Sequence, residues 1–599
     1  MVLIQEHAAV VVWGGGTGGV AAALQSARSG APTLLLTPGP WLGGMVSAAG
    51  VCAPDGNELS CWQTGLWGAF LRDLQRQEPE GLDHNWVSCF GYRPATAEAI
   101  LRRWVGAEPL LRWWPEVRLL GAKRLGSRVG ALEIEREGEA IHLALDLLID
   151  GSDLGDLFPL VGAPYRLGWE PQETWGEPSA PSLQAQVGQS FFHQQVVQSP
   201  TWVVMGQLGP GTCPPGSSLP APFTAASEAF GLERTLSYGR LPGGLVMLNW
   251  PLQGNDWHQG LAAAFQPGSP DYGELMAAMR AHSEAFLEGL ISATDGWLQP
   301  GQAFPISGDR MASPRLQGPG SLALMPYWRE GRRLVGLEVV TEQQLLPCAP
   351  GEAIAPLPLD GQGAIRSIAV GNYPNDHHYP GADWPLAAKS CRWGGRWTGT
   401  PFCIPYGALV SSGIDNLLAA DKCFSSSHMA NGATRLQPLI FNIGQAAGLA
   451  AALCWKNKIP PAALPVRQLQ EALLSDPLAP AGPIPLWDTP WHHPRWAERQ
   501  RRVLDDPPLL GSNGRFGGGT APRPQSGSSE PLESLWQGWI SPDGSGGYSF
   551  SNGAGRWPLI TLEPALHHWL ADLGQPQEVE LIGCLNPWGP WLRVSRLAR

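Results

Sequence analysis

The first forty residues combine continuous apolar runs with one glycine-rich loop. Residues 8–13 are all apolar, which is typical of a strand buried on both faces of a parallel sheet. The loop 14–19 follows, and the Ala- and Leu-rich segment 20–29 predicts a helix that ends at Gly30. The apolar run 33–36 predicts a second strand. Together these segments predict a β–α–β unit.

The rest of the chain is less regular. Residues 117–151 predict several strands that end in a turn, and 416–420 predict a further strand before a long helix. The segment 511–531 is rich in Gly, Ser and Pro and predicts a flexible linker. Turn dipeptides and Trp residues after it predict a β-rich module at 532–599. The predicted fold class is α/β, with a parallel sheet, an inserted α+β region and a small C-terminal β-rich module.

Composition narrows the class of protein. Charged residues make up only 15% of the chain, and the 75 Gly and 58 Pro stay below the level of a low-complexity sequence, so a globular fold is expected. The net charge of −12, with no basic cluster, argues against a nucleic-acid partner. The apolar run 446–454 is too short for a transmembrane segment, which needs about 20 residues.

The cysteines and the N-terminal residues indicate a location. None of the 10 Cys forms a CxxC pair, which is typical of reduced thiols and offers no zinc site. The N-terminal residues lack the basic flank and the cleavage site of a secretory signal. We therefore expect a cytoplasmic protein.

The glycine loop carries the strongest chemical signal. Gly14, Gly16 and Gly19 form a G-x-G-x-x-G pattern between a predicted strand and a predicted helix, which is the context of a dinucleotide-binding loop. The glycines allow a tight turn, the approach of a pyrophosphate and close helix–strand packing. Thr37 stands where an acidic residue usually holds the ribose. The position also lacks the Arg that would accommodate the ribose phosphate of NADP, so the sequence does not support NADP binding.

Five segments together resemble the FAD-dependent oxidoreductase family, in the glutathione-reductase-like superfamily that includes the fumarate-reductase flavoproteins. These segments are 14–19, 40–45, 150–156, 427–435 and 444–448. The chain departs from the family pattern at Thr37 and at Gly151-Ser152, where the family has an acidic residue and Ala-Thr. It also departs at Asp421, where the family has Gly, and at Lys422, where fumarate-reductase-like relatives are acidic.

The resemblance implies a Rossmann-like FAD-binding domain that is discontinuous in sequence. It would comprise 1–50, 106–165 and 401–460, with 51–105 and 166–400 as a substrate-facing cap and 461–510 as a helical extension. A helix that begins at Gly444 would direct its N-terminal dipole towards the flavin. The residues that the resemblance places at non-covalently bound FAD are Gly14, Gly16, Thr17, Gly18, Gly19, Thr37, Gly43, Gly44, Met45, Val117, Asp150, Gly151, Asp421, Gly444, Gln445 and Ala446.

Three residues are candidates for catalysis. His428 precedes the predicted flavin-binding helix and suits proton transfer, while Arg435 beside it can anchor an anion. His377, in Asp376-His377-His378, is the third candidate. The alternatives are a buried structural role for His428 and a solvated turn for His377. No HxxxH spacing joins the histidine pairs, so no metal site is expected.

The predicted function is an FAD-dependent oxidoreductase. A small organic substrate would be oxidised by hydride transfer to flavin N5, and oxygen, a quinone or another acceptor would reoxidise the flavin. Two alternatives stay open. Thr37, Asp421 and Lys422 are compatible with a non-catalytic FAD-binding scaffold, and the block 150–156 loosely resembles a flavin monooxygenase motif. The sequence does not predict the oligomeric state.

Overall fold

The structure of the protein is a computed structural model. It describes residues 4–78, 82, 85, 88–213, 216, 218–225, 228, 231–250, 253–266, 268–305, 320–347, 353–380, 390–393, 396–486, 488–518, 533–543, 547–561, 563–585 and 592–598. Most of the predicted linker 511–531 lies outside these described residues.

The largest sheet carries the α/β part of the fold. Its strands are β1 (Ile4–Trp13), β2 (Thr33–Leu36), β3 (Leu111–Trp114), β4 (Arg118–Leu125), β5 (Arg128–Arg136), β6 (Glu139–Asp150) and β7 (Leu417–Ala419). The strand order is β3-β2-β1-β6-β5-β4, and β7 pairs with the C-terminal end of β6. The pairs β3-β2, β2-β1, β1-β6 and β6-β7 are parallel, whereas β4, β5 and β6 form an antiparallel meander.

The predicted β–α–β unit is confirmed. Helix α1 (Thr17–Arg28) connects β1 to β2, and Val10 of β1 lies opposite Thr33 of β2. Residues 8–13 are all buried, because β1 has neighbouring strands on both edges and is covered on both faces. The three C-terminal ends of β1, β6 and β7 therefore lie side by side.

Two helices follow β7, and the longer one does not begin where the sequence predicts. Helix α2 spans His428–Thr434 and α3 spans Gln437–Asn457, so α3 begins at Gln437 and not at Gly444. A Cβ on Gly444 would lie 2.2 Å from the carbonyl oxygen of Gly18 in α1. Gly444 thus lies in a close contact between α3 and α1, which leaves no room for a side chain at this position.

Helix α3 also has the length and composition of a membrane span. Its mean hydropathy is 1.4 over the most apolar 18-residue window, and 89% of that window is buried inside the protein. A buried core helix passes the same test, so this finding is weak evidence for a membrane span.

The segments between these elements form smaller layers. Val204–Gln207, Leu245–Leu248 and Gln299–Pro300 form one antiparallel sheet, beside the long helix Pro270–Ala293. Three strand pairs are Tyr165–Arg166 with Arg333–Leu334, Ser367–Asn372 with Pro401–Pro405, and Ser390–Trp393 with Arg396–Gly399. Further helices are Gly65–Gln77, Pro94–Ala107, Leu157–Val161, Gln172–Trp175, Leu183–Gly188, Phe191–Gln194, Leu232–Ser237, Val466–Leu474 and Trp496–Asp505.

The predicted C-terminal β-rich module is a closed five-stranded barrel. In spatial order its strands are Ser534–Pro542, Tyr548–Asn552, Gly555–Thr561, Leu592–Leu597 and Gln577–Leu585, and the helix Pro564–Ala571 precedes the last of these. Apolar side chains such as Ile540, Phe550 and Leu581 form its own core. Closure leaves none of these five strands with an open edge.

Candidate functional site

The glycine loop packs tightly at the C-terminal end of β1. Gly14 has a positive φ of 105°, and a Cβ there would lie 2.5 Å from the carbonyl oxygen of Gly151. A Cβ on Gly18 would lie 1.6 Å from the carbonyl oxygen of Ala420. Because backbone atoms from the ends of β6 and β7 touch the loop, these two positions accept only glycine.

The start of α1 offers backbone N–H groups to an anion. Within the part of the chain that the structure describes, the N–H groups of Gly15, Gly16 and Thr17 have no acceptor. The N–H of Gly18 donates to Oδ2 of Asp421 at 2.8 Å. A helix N-terminus with free donors is a ready phosphate site, so the N–H groups of Gly15, Gly16 and Thr17 remain for a ligand, whereas a carboxylate of the protein uses that of Gly18.

A buried ion pair holds this carboxylate. Lys422 is fully buried, and its ammonium donates to Asp153 and, at 3.2 Å, to Oδ1 of Asp421. Burial alone would lower the pKa of Lys422, but Asp153 and Asp421 raise it well above its usual range. Lys422 is therefore a charged ammonium between two carboxylates.

Thr37, which stands at the position of the expected ribose contact, is hydrogen-bonded to other residues of the protein. The hydroxyl of Thr37 donates to the carbonyl oxygen of Gly39 at 2.8 Å and accepts from Nε1 of Trp113 at 3.1 Å. The N–H of Val117 donates to the carbonyl oxygen of Thr37 at 3.0 Å. The structure thus brings Thr37 and Val117 together at the ends of β2 and β3.

The segment that contains Gly43, Gly44 and Met45 crosses the glycine loop. The N–H of Gly43 donates to the carbonyl oxygen of Gly15 at 2.8 Å, and the hydroxyl of Thr17 donates to the carbonyl oxygen of Gly43 at 2.8 Å. Both glycines have positive φ values, 109° for Gly43 and 53° for Gly44. Most of the predicted cofactor residues therefore meet around this loop.

Asp150 shapes the turn after β6. Its carboxylate accepts hydrogen bonds from the N–H and the hydroxyl of Ser152 and from the N–H of Leu157, at 2.6–2.9 Å. Burial, with a contribution from the carboxylate of Asp156, raises the pKa of Asp150 to about 7. In this arrangement Asp150 supports the turn that carries Gly151.

A small polar cavity of about 40 Å³ lies beyond the segment that contains Gly43, Gly44 and Met45. A cavity of this volume holds only a few water molecules. Val51 lines it, and the N–H of Val51 donates to the carbonyl oxygen of Met45 at 3.0 Å, which connects the cavity to the glycine loop. Its polar lining consists of Asp55, Tyr238, Asn249, Tyr327, Arg329, Tyr373, Asp376, His378, Arg435 and Gln437.

Ion pairs run along the wall of this cavity. Arg435 lies 3.0 Å from Asp376, and Arg329 lies 3.2 Å from Asp256. His378 bridges the two carboxylates, with Nδ1 3.1 Å from Asp256 and Nε2 2.9 Å from Asp376. Burial would raise the pKa of both carboxyls. Instead, Arg329 and His378 lower the pKa of Asp256 to about 2, and His378 and Arg435 hold that of Asp376 well below its usual range.

The hydrogen bonds of His378 depend on the number of protons on its ring. An ionised carboxylate only accepts hydrogen bonds, so a ring with two protons donates to both carboxylates and a ring with one proton donates to one of them. In either state His378 lies between Asp256 and Asp376, beside Arg329 and Arg435.

The structure separates the three predicted catalytic residues. Arg435 lines the cavity, whereas His428 and His377 are not among its lining residues. His428 is buried, with Nδ1 2.8 Å from Oε1 of Glu330 and Nε2 2.6 Å from the hydroxyl of Tyr379. His377 joins the same chain, because its Nδ1 lies 2.8 Å from that hydroxyl.

Sequence reasoning missed His378 and Arg329. His378 is the direct neighbour of His377, and His378 is the ring of this segment that lines the cavity. Arg329 lies in a segment with four charged residues, Arg329, Glu330, Arg332 and Arg333, in a chain that is otherwise poor in charge. That local density was the available signal, because buried charges in a protein are usually paired.

Buried carboxyls make the free energy of unfolding depend on pH in two windows. Asp256 and Asp376 have lowered pKa values when folded, so the stability that they contribute is complete above about pH 4 and is lost as the pH falls towards 2. Burial raises the pKa of Asp150 and of Glu177 to about 7, so these two groups bind more protons in the folded state between about pH 4 and 7. Their contribution to stability therefore falls as the pH rises through that window, whereas the lowered pKa values of His567 and His568 act in the opposite direction.

Urea denaturation at about pH 3, 4.5 and 7 measures this dependence. Between pH 4.5 and 7 the free energy of unfolding of the wild type should fall relative to that of Asp150→Asn, since the amide does not titrate. An equal pH dependence of the two proteins in this window would contradict the prediction.

Comparison with solved structures gives only remote similarities. The chain is similar to an L-proline dehydrogenase from P. horikoshii, with 16% identity, 29% of this chain and 26% of that chain covered, and a TM-score of 0.16. It is similar to the p-nitrophenol 4-monooxygenase from Pseudomonas putida, with 11% identity and a TM-score of 0.29. That similarity covers 56% of this chain and 70% of the monooxygenase. It is also similar to a mutant of the E. coli quinol fumarate reductase, with 11% identity and a TM-score of 0.30. That similarity covers 79% of this chain and 76% of the reductase.

The chain spans about a quarter of the length of the L-proline dehydrogenase, with 26% of it covered. No curated protein matches the sequence. The model of the family described as FAD dependent oxidoreductase matches residues 9–473, which is well over half of the chain. The chain therefore belongs to the FAD dependent oxidoreductase family, and its cofactor is FAD.

Proposed function

We propose that this oxidoreductase acts on a small, uncharged, polar organic substrate in the cavity lined by Arg435, Arg329 and His378. The observation that carries the proposal is the ring of His378, which lines that cavity and lies between two carboxylates. The segment from Gly43 to Val51 reaches from the glycine loop to the cavity, so a cofactor on the loop and a substrate in the cavity share one segment.

The residues of the loop fit a dinucleotide. The N–H groups of Gly15, Gly16 and Thr17, which lack acceptors among the described residues, would hold the diphosphate. The glycines at 14 and 18 permit the close packing that such a loop needs. Bound FAD supplies a hydride acceptor for the substrate.

The charges in the cavity wall indicate the substrate class. Arg329 and Arg435 are each neutralised by an aspartate, so neither offers an unpaired positive charge to a carboxylate. Tyr238, Tyr327 and Tyr373 add phenol groups to the same wall. Such a lining suits hydroxyl groups, and we propose an alcohol as the substrate class.

His378 exchanges the proton in this proposal. Its Nε2 lies against Asp376, and its Nδ1 lies against Asp256. When the alcohol loses its hydride, the neutral ring would accept the hydroxyl proton as a general base, and the resulting imidazolium would donate to both carboxylates. Arg435 keeps Asp376 ionised and in place for this exchange.

Residues from both predicted parts of the chain line the cavity. Asp55, Tyr238 and His378 belong to the segments 51–105 and 166–400 that we propose as the substrate region, while Arg435 belongs to the proposed cofactor domain. A second molecule must accept the electrons afterwards, and oxygen, a quinone or another acceptor would fill this role.

The test is anaerobic bleaching of the bound flavin by a panel of small alcohols, amines and carboxylates of similar size. We expect alcohols to bleach the flavin, and we expect His378→Gln to slow bleaching by a factor of about 100 or more while the flavin stays bound. His193→Gln is the matched control, because His193 is exposed. Bleaching by carboxylates alone, or unchanged rates in His378→Gln, would refute the proposal.

A further inference from the structure

The carboxylate of Asp421 lies inside the glycine loop. Its Oδ2 accepts from the N–H of Gly18 at 2.8 Å, and a Cβ on Gly16 would lie 2.7 Å from the same oxygen. Its Oδ1 accepts from the N–H of Lys422 at 2.7 Å. Asp421 is fully buried, so the contact does not arise from a mobile surface side chain.

Asp421 takes a donor next to those that we propose for the diphosphate of FAD. The N–H of Gly18 follows directly after those of Gly15, Gly16 and Thr17, which have no acceptor among the described residues. A carboxylate and a diphosphate both seek N–H donors at a helix start, where the helix dipole favours negative charge. Two anions side by side in a buried site repel each other, because little solvent screens them.

The surrounding charges allow the carboxylate to leave. Lys422 donates to Asp153 as well as to Asp421, so its ammonium keeps one partner when Asp421 moves. A buried ammonium without any partner would be very costly, and this second partner removes that cost. The ammonium of Lys422 would then lie beside the negative charge of a diphosphate on the glycine loop.

We propose that Asp421 is an internal competitor of FAD: its carboxylate occupies one donor of the diphosphate site and must leave it for FAD to bind. Asp421 thereby sets the affinity for FAD, independently of which substrate the enzyme takes. The resemblance described above has glycine at this position, and a glycine would leave the donor of Gly18 free.

The experiment is titration of FAD into the flavin-free full chain, followed by quenching of flavin fluorescence and by calorimetry. We expect Asp421→Gly to lower the dissociation constant of FAD at least tenfold, and Asp421→Asn to lower it less, since the amide removes the charge but retains an acceptor. Inorganic pyrophosphate, used as a competitor, should show the same order of affinities. Asp415→Asn is the matched control, because it removes a carboxylate from an exposed position of the same segment.

Thermal unfolding of each variant shows that it is folded, and Asp421→Asn keeps the test valid if Asp421→Gly does not fold. Equal FAD affinity in the wild-type protein and in a folded Asp421 variant would overturn the proposal. Weaker binding in the variants would also overturn it, and would make Asp421 a contact of FAD. These readouts contain no substrate, so they stand apart from the flavin-bleaching test of the proposed function.

Discussion

Replacing Gly18 with alanine is expected to abolish FAD binding and to lower the free energy of unfolding by about 3 kcal/mol. The added Cβ would lie 1.6 Å from the carbonyl oxygen of Ala420 and 2.6 Å from its carbonyl carbon. Both are backbone atoms, so no side-chain rotation relieves the overlap. Helix α1 and the end of β7 would have to separate, which would displace the phosphate-binding donors.

Urea denaturation and the flavin content of the purified protein measure the two effects. Gly106→Ala is the matched control, because Gly106 lies in the helix Pro94–Ala107 and a Cβ there meets no atom within 4 Å. In the control the free energy of unfolding should rise by about 0.5 kcal/mol, since alanine is the better helix former. An unchanged stability of Gly18→Ala would contradict the close approach of α1 to β7.

The β1–loop–α1–β2 unit could be predicted because its signals are local. An apolar run, a glycine loop and a second apolar run follow one another within 8–36, and each element obeys its own pattern. The start of α3 could not be predicted in the same way. Gly444 is suited both to a helix start and to a close helix contact. Only its position opposite the carbonyl oxygen of Gly18 decides between the two.

The candidate site shows the same division between local and distant signals. Arg435 could be identified beside a family-like segment, and the structure places it in the cavity. His378 lies in the same cavity and contacts Asp256, more than a hundred residues away in the chain. The departure at Asp421 was visible in the sequence, but its meaning required the hydrogen bond to Gly18. Pairings across long sequence separations are set by the fold, and no local pattern encodes them.

Replacing His428 with alanine is expected to lower the free energy of unfolding by about 3–5 kcal/mol, without slowing the reduction of bound flavin more than a few-fold. Glu330 is fully buried, and its carboxylate is hydrogen-bonded to His428 and paired with Arg333. Burial would raise the pKa of Glu330, but His428 and Arg333 lower it, so its carboxylate is ionised and depends on them. The ring of Trp169 lies 3.9 Å from that of His428 and would face an empty space.

Urea denaturation and anaerobic flavin reduction, measured on the same preparations, separate a structural role of His428 from a catalytic one. His193→Ala is the control, because His193 is exposed and its loss should change the free energy of unfolding by less than about 0.5 kcal/mol. His428→Gln should recover part of the stability, since its amide can still donate to Glu330. If His428→Ala kept full stability but slowed flavin reduction a hundredfold, His428 would be catalytic. His428 is not among the residues that line the cavity, which argues for the structural role. A proton from its ring would have to pass through Tyr379 and His377 before it reached the segment of His378.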